Sequence, residues 1–299
     1  MASWDLVIGM IFLLQMMVGI LGNFCLLHHY LFLYYTGCRL RCTDLILKHL
    51  TVANSLVILS RGVPQTMAAL GLKDFLGNIG CKLVFYVHRV GRDVSIGTSC
   101  LLSVFQVITI SPMNFRWAEL KVKAPKYLGT LNILCWVLSM VLNITVLAYA
   151  TGKWRNKNTT KKHNFGYCYI VHSENITDSF SLVLMLFNDC FCLGLMIWSS
   201  GSMVYILHRH KKQVEYMHTN NLSHRSFPET RATQRILILV STFVSLCTLS
   251  SIFHICSVVL NNHHLWLVEL STFITACFPT VSPYILMSHD SRASRLCFA

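Results

Sequence analysis

The chain has 299 residues, of which 54% are hydrophobic and only 12% are charged, and its formal net charge is +13. Soluble domains carry about 25% charged residues, so this composition argues against a soluble protein and favours an integral membrane protein. A helix needs about 20 apolar residues to cross a bilayer. Seven stretches predict an all-α membrane protein, a single seven-helix bundle over residues 1–299: 6–31, 45–70, 83–110, 128–149, 180–207, 236–260 and 265–287.

The first predicted helix follows Met1–Asp5, which shows neither the basic segment nor the cleavage site of a signal peptide. We expect this helix to act as its own insertion signal. Basic residues in short loops favour the cytosol, so the charges predict an extracellular N-terminus and a cytoplasmic C-terminus. A basic cluster between Lys153 and Lys162 on the outer side opposes this assignment. The inner loops and the tail hold Arg39, Arg41, Arg116, Lys121, Lys123, Lys126, Arg209, Lys211, Lys212, Arg225, Arg231, Arg235, Arg292 and Arg295.

The third predicted helix contains charged residues where hydrocarbon is expected, in the stretch HRVGRDVS that begins at His88. A charged side chain at a helix centre costs roughly 2.5–3.5 kcal/mol even on the mildest insertion scale. Counted from Cys81, Arg89 lies about 12 Å and Asp93 about 18 Å along the helix. These side chains must therefore face the bundle interior, a water-filled cavity or one another, at the depth of a ligand cavity.

The spacing of these residues predicts pairs. Arg89 and Asp93 are one turn apart and share a face, as do His88 and Arg92. If Arg89 neutralises Asp93, Arg92 remains as a net positive group.

Gly91 lies between these pairs, where it allows another backbone to approach or the helix to deform. Arg61 in the second predicted helix lies at a similar depth, and Glu269 in the seventh is a candidate partner. One interpretation is a net positive pocket for anionic or strongly hydrogen-bonding organic molecules. The other is a charge network that only fixes helix packing.

The loop before the fifth predicted helix carries two glycosylation sequons, at Asn158 and Asn175. Such sites are used on the lumenal side, which supports the same orientation. Two further sequons, at Asn143 and Asn221, fall in the fourth predicted helix and in an inner loop. We expect no glycan at either of them.

The chain contains 13 cysteines, most of them inside the apolar stretches. A free cysteine there is a small hydrophobic residue. Cys38, Cys42 and Cys297 face the reducing cytosol. Only Cys81 and Cys168 fall on the oxidising side, so we predict that they pair and hold the loop over the bundle. The alternative is two unpaired thiols.

Seven helices, an outer N-terminus and this disulfide together resemble the architecture of G-protein-coupled receptors. Short motifs resemble the rhodopsin-like class: Gly22-Asn23, Ala53-Asn54, Trp136 and Ser282-Pro283-Tyr284. However, the third predicted helix ends in Ile108-Thr109-Ile110-Ser111-Pro112, without Asp-Arg-Tyr, and the sixth contains no proline. The usual acidic sodium-binding residue is also absent. The chain therefore does not resemble the core members of that class.

Longer blocks resemble vomeronasal type-1 receptors: LKHLTVANSLVILSRGVPQTMAALG from Leu47, HRVGRDVSIGTSCLLSVFQVITISP from His88, PETRATQRILILVSTFVS from Pro228 and FPTVSPYILM from Phe278. The resemblance covers nearly the whole chain. It implies a pheromone receptor in the plasma membrane of vomeronasal sensory neurons. Such a receptor binds a small organic ligand and acts through an inhibitory-class heterotrimeric G protein. The resemblance implies no enzyme activity, cofactor, metal or nucleic acid.

The third inner loop is basic and lies beside the fifth and sixth predicted helices, where a G protein would insert its C-terminal helix. The candidate contacts are Arg116, Lys121, Arg231 and Arg235. The same residues are also explained as topology signals and as contacts to membrane lipid head groups.

Other functional classes find little support in the sequence. No catalytic constellation, such as a glycine-rich phosphate loop or His-Glu-x-x-His, occurs. A transporter would be expected to show broken helices or an internal repeat, and a channel a selectivity element. Among receptors, the bitter-taste family is also short and lacks Asp-Arg-Tyr, but its sequence blocks find no match here.

Overall fold

A computed structural model describes the larger part of the chain, namely residues 2–36, 42–72, 75–111, 115–145, 147, 150–151, 162–164, 168–171, 176–217, 237–238, 240–242, 244–246, 249 and 265–288. The helices are α1 (Ala2–Tyr35), α2 (Cys42–Ala69), α3 (Asn78–Ile110), α4 (Phe115–Leu142), α5 (Ile176–Met217), α6, which comprises the helical residues described between 237 and 249, and α7 (Leu265–Ser288). The strands are β1 (Ala150–Thr151), β2 (Lys162–Asn164) and β3 (Tyr169–Val171).

The helices reproduce the predicted spans most closely in α1, α2, α3 and α7. Among the described residues, five helices are long and apolar enough to cross a membrane: Leu6–Tyr35, Cys42–Ala69, Asn78–Ile110, Glu119–Leu142 and Phe187–Arg209. A shorter apolar stretch, Phe273–Ser288, lies in α7. The predicted span 236–260 falls only partly within the described residues.

Two helices depart from their predicted limits. α4 begins at Phe115, well before residue 128, and α5 continues to Met217, past residue 207. The predictions counted apolar residues, whereas a helix continues through polar residues wherever its backbone bonds remain satisfied. α4 ends at Leu142. The Asn143 N–H still donates to the Ser139 carbonyl at 3.2 Å, but the next N–H, of Ile144, donates to the Val141 carbonyl three residues back at 3.3 Å, so the chain leaves the α-helical pattern.

A small antiparallel sheet lies between α4 and α5 in the sequence, an element that the sequence analysis did not predict. Its strand order is β1-β3-β2, and Ala150 lies opposite Ile170, while His163 lies opposite the same residue from the other side. β3 follows Cys168 directly, so the disulfide holds the central strand of the sheet. The strands have only two or three residues, too few for an alternating pattern to stand out in the sequence.

α3 is the central helix of the bundle, in contact with α2, α4, α5 and β1. In its most apolar stretch 67% of the residues are buried, against 39% or less in the other four candidate spans. α1 packs on α2 and α7. The main hydrophobic cluster fills the end of the bundle opposite Cys81, and its fully buried members include Leu26, Ile46, Leu50, Leu102, Met196, Met203 and Val240.

Large apolar side chains cover the outside of the bundle. On α1, Leu14 is 66% exposed, Leu21 61% and Phe24 64%. In water such a continuous apolar surface would be an aggregation hazard, whereas in a bilayer these side chains contact lipid. The exposed side of α1 therefore fits a helix at the periphery of a membrane bundle.

α1 and α7 meet at a proline-dependent joint. Pro283 has no N–H, so the Pro279 carbonyl one turn earlier lacks its helical donor. The Asn23 amide donates to that carbonyl at 2.9 Å, and Tyr284 Oη donates to the Val18 carbonyl at 2.8 Å. A Cβ atom at Gly22 would lie only 2.8 Å from the Tyr284 ring. The joint therefore needs a glycine at this position.

Gly22→Ala should destabilise the protein by about 1–3 kcal/mol, because the added methyl overpacks a contact between two helices. The thermal midpoint of detergent-solubilised protein measures this change. Gly194→Ala on α5 is the matched control, since a Cβ there meets no atom within 4 Å. This control should be neutral or stabilising by up to about 1 kcal/mol. Equal midpoints for the two variants would contradict the close approach of α1 and α7.

Candidate functional site

The ionisable residues that the sequence analysis singled out in α3 lie in the half of the bundle nearer the disulfide. His88 and Asp93 are each 6% exposed, and Arg89 and Arg92 are partly buried. Their positions correspond to depths of roughly 10–18 Å below Cys81. α3 therefore carries a cluster of charge through the interior of an otherwise apolar bundle.

Arg92 forms the ion pairs described in this region. Its Nη2 donates to Oδ2 of Asp189 on α5, and its Nε lies 3.5 Å from Oδ1 of Asp93. Arg89 lies within electrostatic range of Arg92 and of both carboxylates. The expectation that Arg92 remains as a net positive group is therefore wrong, because α5 supplies a second carboxylate.

Asp93 is held from the opposite side by Asn143. The Asn143 amide donates to Oδ2 of Asp93 at 2.7 Å, and Asn143 is fully buried. The Asn143 side chain is therefore bound inside the bundle, whereas asparagines that carry glycans lie at the surface. A hydrogen bond and an ion pair together lower the free energy of a buried carboxylate.

His88 is held by two residues of α2. Arg61 Nη1 lies 3.4 Å from Nε2 of His88, and Ser60 Oγ lies 3.5 Å from Nδ1. A guanidinium has no acceptor atom, so Nε2 accepts and Nδ1 carries the proton. The Ser60 hydroxyl in turn donates to the Val57 carbonyl at 3.2 Å. The geometry therefore favours a neutral imidazole beside the Arg61 cation.

A small cavity of about 20 Å³ lies beside this histidine, between α1, α2, α3 and α7. Gln15, Met16, Arg61, His88 and Thr280 are among the side chains that line it. This volume holds about one water molecule. An organic ligand needs roughly 300 Å³ or more, so the cavity in this structure has room for water and not for such a ligand.

A neutral hydrogen-bond network joins three helices below the charges. Ser95 Oγ on α3 donates to the Asn54 amide oxygen at 2.8 Å, and the Asn54 amide nitrogen donates to Ser282 Oγ on α7 at 2.9 Å. α2 and α3 approach closely here because Gly91 has no side chain. A Cβ atom at this position would lie only 3.2 Å from the Ala53 carbonyl oxygen. The predicted role of Gly91 in close backbone approach is confirmed.

The predicted disulfide between Cys81 and Cys168 is present, with Cα atoms 5.8 Å apart. Both residues are fully buried, and they form a small cluster with Phe85. The bond fixes the segment before α5 over the start of α3. The other cysteines among the described residues are free thiols, which agrees with the interpretation of helical cysteines as small apolar residues.

The structure brings together five of the six predicted ligand residues, in two neighbouring groups on α2 and α3. The sixth, Glu269, lies in α7, but its side chain falls outside the described residues, as does that of Arg116 in α4. Lys121 lies in α4 and is partly exposed. Asn158, Asn175, Arg231 and Arg235 also fall outside the described residues.

The arrangement provides fixed charge in a medium of low dielectric constant, where an electrostatic contact is far stronger than in water. The site contains three guanidinium groups, on Arg61, Arg89 and Arg92, and two carboxylates. Arg92 forms ion pairs with both Asp93 and Asp189, Arg89 lies within electrostatic range of both, and Arg61 lies beside His88. With His88 neutral, the cluster has a net charge of +1. Such a site can bind a polar or anionic group of a small molecule.

The model of the vomeronasal organ pheromone receptor family matches residues 6–299. The chain belongs to this family.

Individual relatives agree with this assignment. The receptor is 58% identical to vomeronasal type-1 receptor 3 of Homo sapiens over 99% of this chain and 95% of that protein. It is 55% identical to vomeronasal type-1 receptor 4 of Homo sapiens over 100% and 99% of the two chains. A more distant relative is the olfactory receptor class A-like protein 1 of Danio rerio, 29% identical over 95% of this chain and 89% of that protein.

The family and the apolar helices together show a receptor that crosses the plasma membrane several times. The resemblance to vomeronasal type-1 receptors in the sequence blocks is confirmed, and the family is one of receptors rather than enzymes.

Sequence reasoning did not single out Asp189, and it considered Asn143 only as a sequon. A signal for Asp189 was available, because an aspartate inside a predicted membrane span is a candidate by the same argument that selected Arg92. The role of Asn143 depends on the end of α4 meeting the middle of α3, which the sequence of α4 does not encode.

Proposed function

We propose that this chain is a seven-helix, G-protein-coupled pheromone receptor with an extracellular N-terminus and a cytoplasmic C-terminus. It binds a small organic chemosignal in the outer half of the bundle and activates an inhibitory-class heterotrimeric G protein. This signal serves social and reproductive behaviour. The observation that carries the proposal is the buried cluster of guanidinium and carboxylate groups on α2, α3 and α5. A bundle that only needed stability would gain little from burying ion pairs, since apolar packing of the same volume is often as stable.

The ligand contacts in this proposal are Arg61, His88, Arg89, Arg92, Asp93 and Glu269, with Asp189 as a further member. The net positive charge of the described groups suits an anionic or strongly hydrogen-bonding ligand. Such a ligand replaces water or protein groups around the guanidinium ions, and the apolar walls of the bundle bind its hydrocarbon part.

On the cytoplasmic side, Arg116, Lys121, Arg231 and Arg235 contact the G protein in this proposal. Membrane lipid head groups compete for the same basic residues. On the extracellular side, Asn158 and Asn175 carry glycans. These assignments follow from the proposed orientation, since glycans are added only on the lumenal side.

Ligand-stimulated nucleotide exchange tests the proposed function. Purified receptor is reconstituted with an inhibitory-class G protein and exposed to steroid, volatile and urinary fractions. We expect at least one fraction to accelerate exchange, and a stimulatory-class G protein to show no response. Transmembrane current or uptake of a ligand, in the absence of nucleotide exchange, would contradict the proposal and favour a channel or transporter.

A further inference from the structure

The large apolar side chains described in α5 before Asp189 face outward from the bundle. Among the described side chains before Asp189, Val183 is 63% exposed, Leu184 39% and Phe187 67%. The fully buried side chains of α5 occur later, at Met196, Ser199 and Met203. Asp189 is the first residue along α5 for which a polar contact to α3 is described, and that contact is its ion pair with Arg92.

The two carboxylates around Arg92 differ in accessibility. The side chain of Asp93 is 7% exposed and that of Asp189 is 19% exposed, while Arg92 is 34% exposed. Asp93 is also held by Asn143 from the side of α4. Asp189 is therefore the more accessible carboxylate partner of Arg92, while Asp93 is covered.

We propose that Asp189 is an internal counter-ion that an anionic ligand displaces from Arg92. The inference rests on the proposed function and names the charge class of its ligand and the contact that the ligand changes. In the unliganded receptor, Asp189 holds the first half of α5 to α3. A carboxylate, sulfate or phosphate group of a ligand takes its place on the Arg92 guanidinium and releases α5 from that contact.

Because the ligand anion and Asp189 compete for Arg92, the ligand binds more tightly to the state in which Asp189 has left Arg92. A ligand needs such a difference in affinity between two states to change the conformation. A ligand shifts an equilibrium only by as much as it binds one state better than the other. In the bound state the ligand anion takes the place of Asp189 on the Arg92 guanidinium, which can bind it in a bidentate geometry. In the unliganded state the same group is occupied by Asp189, so an anion binds the released state better.

The role of Asp189 as a tether is tested without any ligand. In Asp189→Asn receptor, we expect basal nucleotide exchange to rise about fivefold or more. Amide hydrogen exchange of the peptides before residue 189 should also become faster. The conservative variant Asp189→Glu, which keeps the carboxylate, should leave both values close to those of the wild type. Asn188→Ala is the matched control, and surface expression establishes that each variant folds.

The anion preference is tested by direct binding, which needs no G protein. The probes are hexanoate, octanoate and decanoate, each compared with its primary amide, which keeps the shape and removes the charge. We expect the carboxylates to raise the thermal midpoint of purified receptor more than the amides do. Asp189→Asn should increase this preference for the carboxylate about tenfold in affinity, and Arg92→Gln should remove it.

Three results would overturn the inference. The first is that Asp189→Asn changes neither basal nucleotide exchange nor amide hydrogen exchange. The second is that carboxylates and amides stabilise the wild type equally. The third is that Asp189→Asn binds carboxylates more weakly than the wild type does. Failure of the proposed function has a different signature. In that case no fraction stimulates nucleotide exchange, while the hydrogen-exchange and thermal measurements still decide whether Asp189 is a displaceable counter-ion.

Discussion

Replacing Arg92 by glutamine is expected to raise the ligand concentration for half-maximal nucleotide exchange at least about 100-fold, so that the receptor no longer responds in the range where the wild type does. Removing one partner of a desolvated, hydrogen-bonded charge pair costs about 2–5 kcal/mol in binding, and about 2.7 kcal/mol corresponds to 100-fold. Arg92 bridges α3 and α5 through Asp189 and lies beside Asp93. A dose–response curve of G-protein nucleotide exchange, with the active fraction as ligand, measures the effect.

The Arg92→Gln variant also leaves Asp189 without its ion-pair partner, so folding needs its own control. The double variant Arg92→Gln with Asp189→Asn removes both charges and relieves that cost, but it still lacks the cation. We expect it to reach the cell surface normally and to remain unresponsive. Lys123→Gln, which breaks the exposed ion pair with Glu119 on α4, should respond like wild type. A responsive double variant would show that the Arg92 charge serves packing alone.

Removing the disulfide should have the largest effect on stability. Cys81 and Cys168 are 87 residues apart in the sequence, and a bond that closes a loop of this length stabilises a folded chain by about 4–5 kcal/mol in the chain-entropy model. The Cys81→Ala, Cys168→Ala double variant is therefore expected to lose most of its surface expression. The thermal midpoint of the solubilised receptor should fall with it.

The free cysteine Cys42 provides the control for this experiment. It is exposed at the start of α2, and Cys42→Ala should leave expression and the thermal midpoint within the error of wild type. Single variants of Cys81 or Cys168 should resemble the double variant, because either one breaks the bond. Normal surface expression of the double variant would contradict the view that the bond holds the segment before α5 in place.

The limits of the first three helices could be predicted from the distribution of apolar residues in the sequence. Their apolar stretches agree with α1, α2 and α3 to within a few residues, because a bilayer requires a continuous run of apolar residues and leaves little freedom in placing it. α4 and α5 were predicted too short, since the hydropathy pattern marks the hydrocarbon region and not the end of the helix. The sheet β1-β3-β2 was missed because its strands are too short to produce a pattern.

For the charged residues of α3, the sequence likewise predicted their position along the helix but not their partners. Their depth follows from the position of Cys81 and the rise of a helix, and the structure places them in the interior as predicted. Their partners do not follow from sequence. Spacing relates residues only within one helix, so it offered Arg89 as the partner of Asp93, whereas the described ion pair of Asp93 is with Arg92.

The amino-acid sequence by itself determined that this protein spans the membrane, the approximate location of its helices, the Cys81–Cys168 pair and the depth of its charged residues. These features depend on composition and on distances along one helix, which the chain fixes directly. Only the tertiary structure decided that Arg92 meets Asp189, that Asn143 holds Asp93 and that Arg61 reaches His88. Such contacts depend on how each helix is rotated about its axis. That rotation is set by the packing of several helices at once and is not encoded in any one of them.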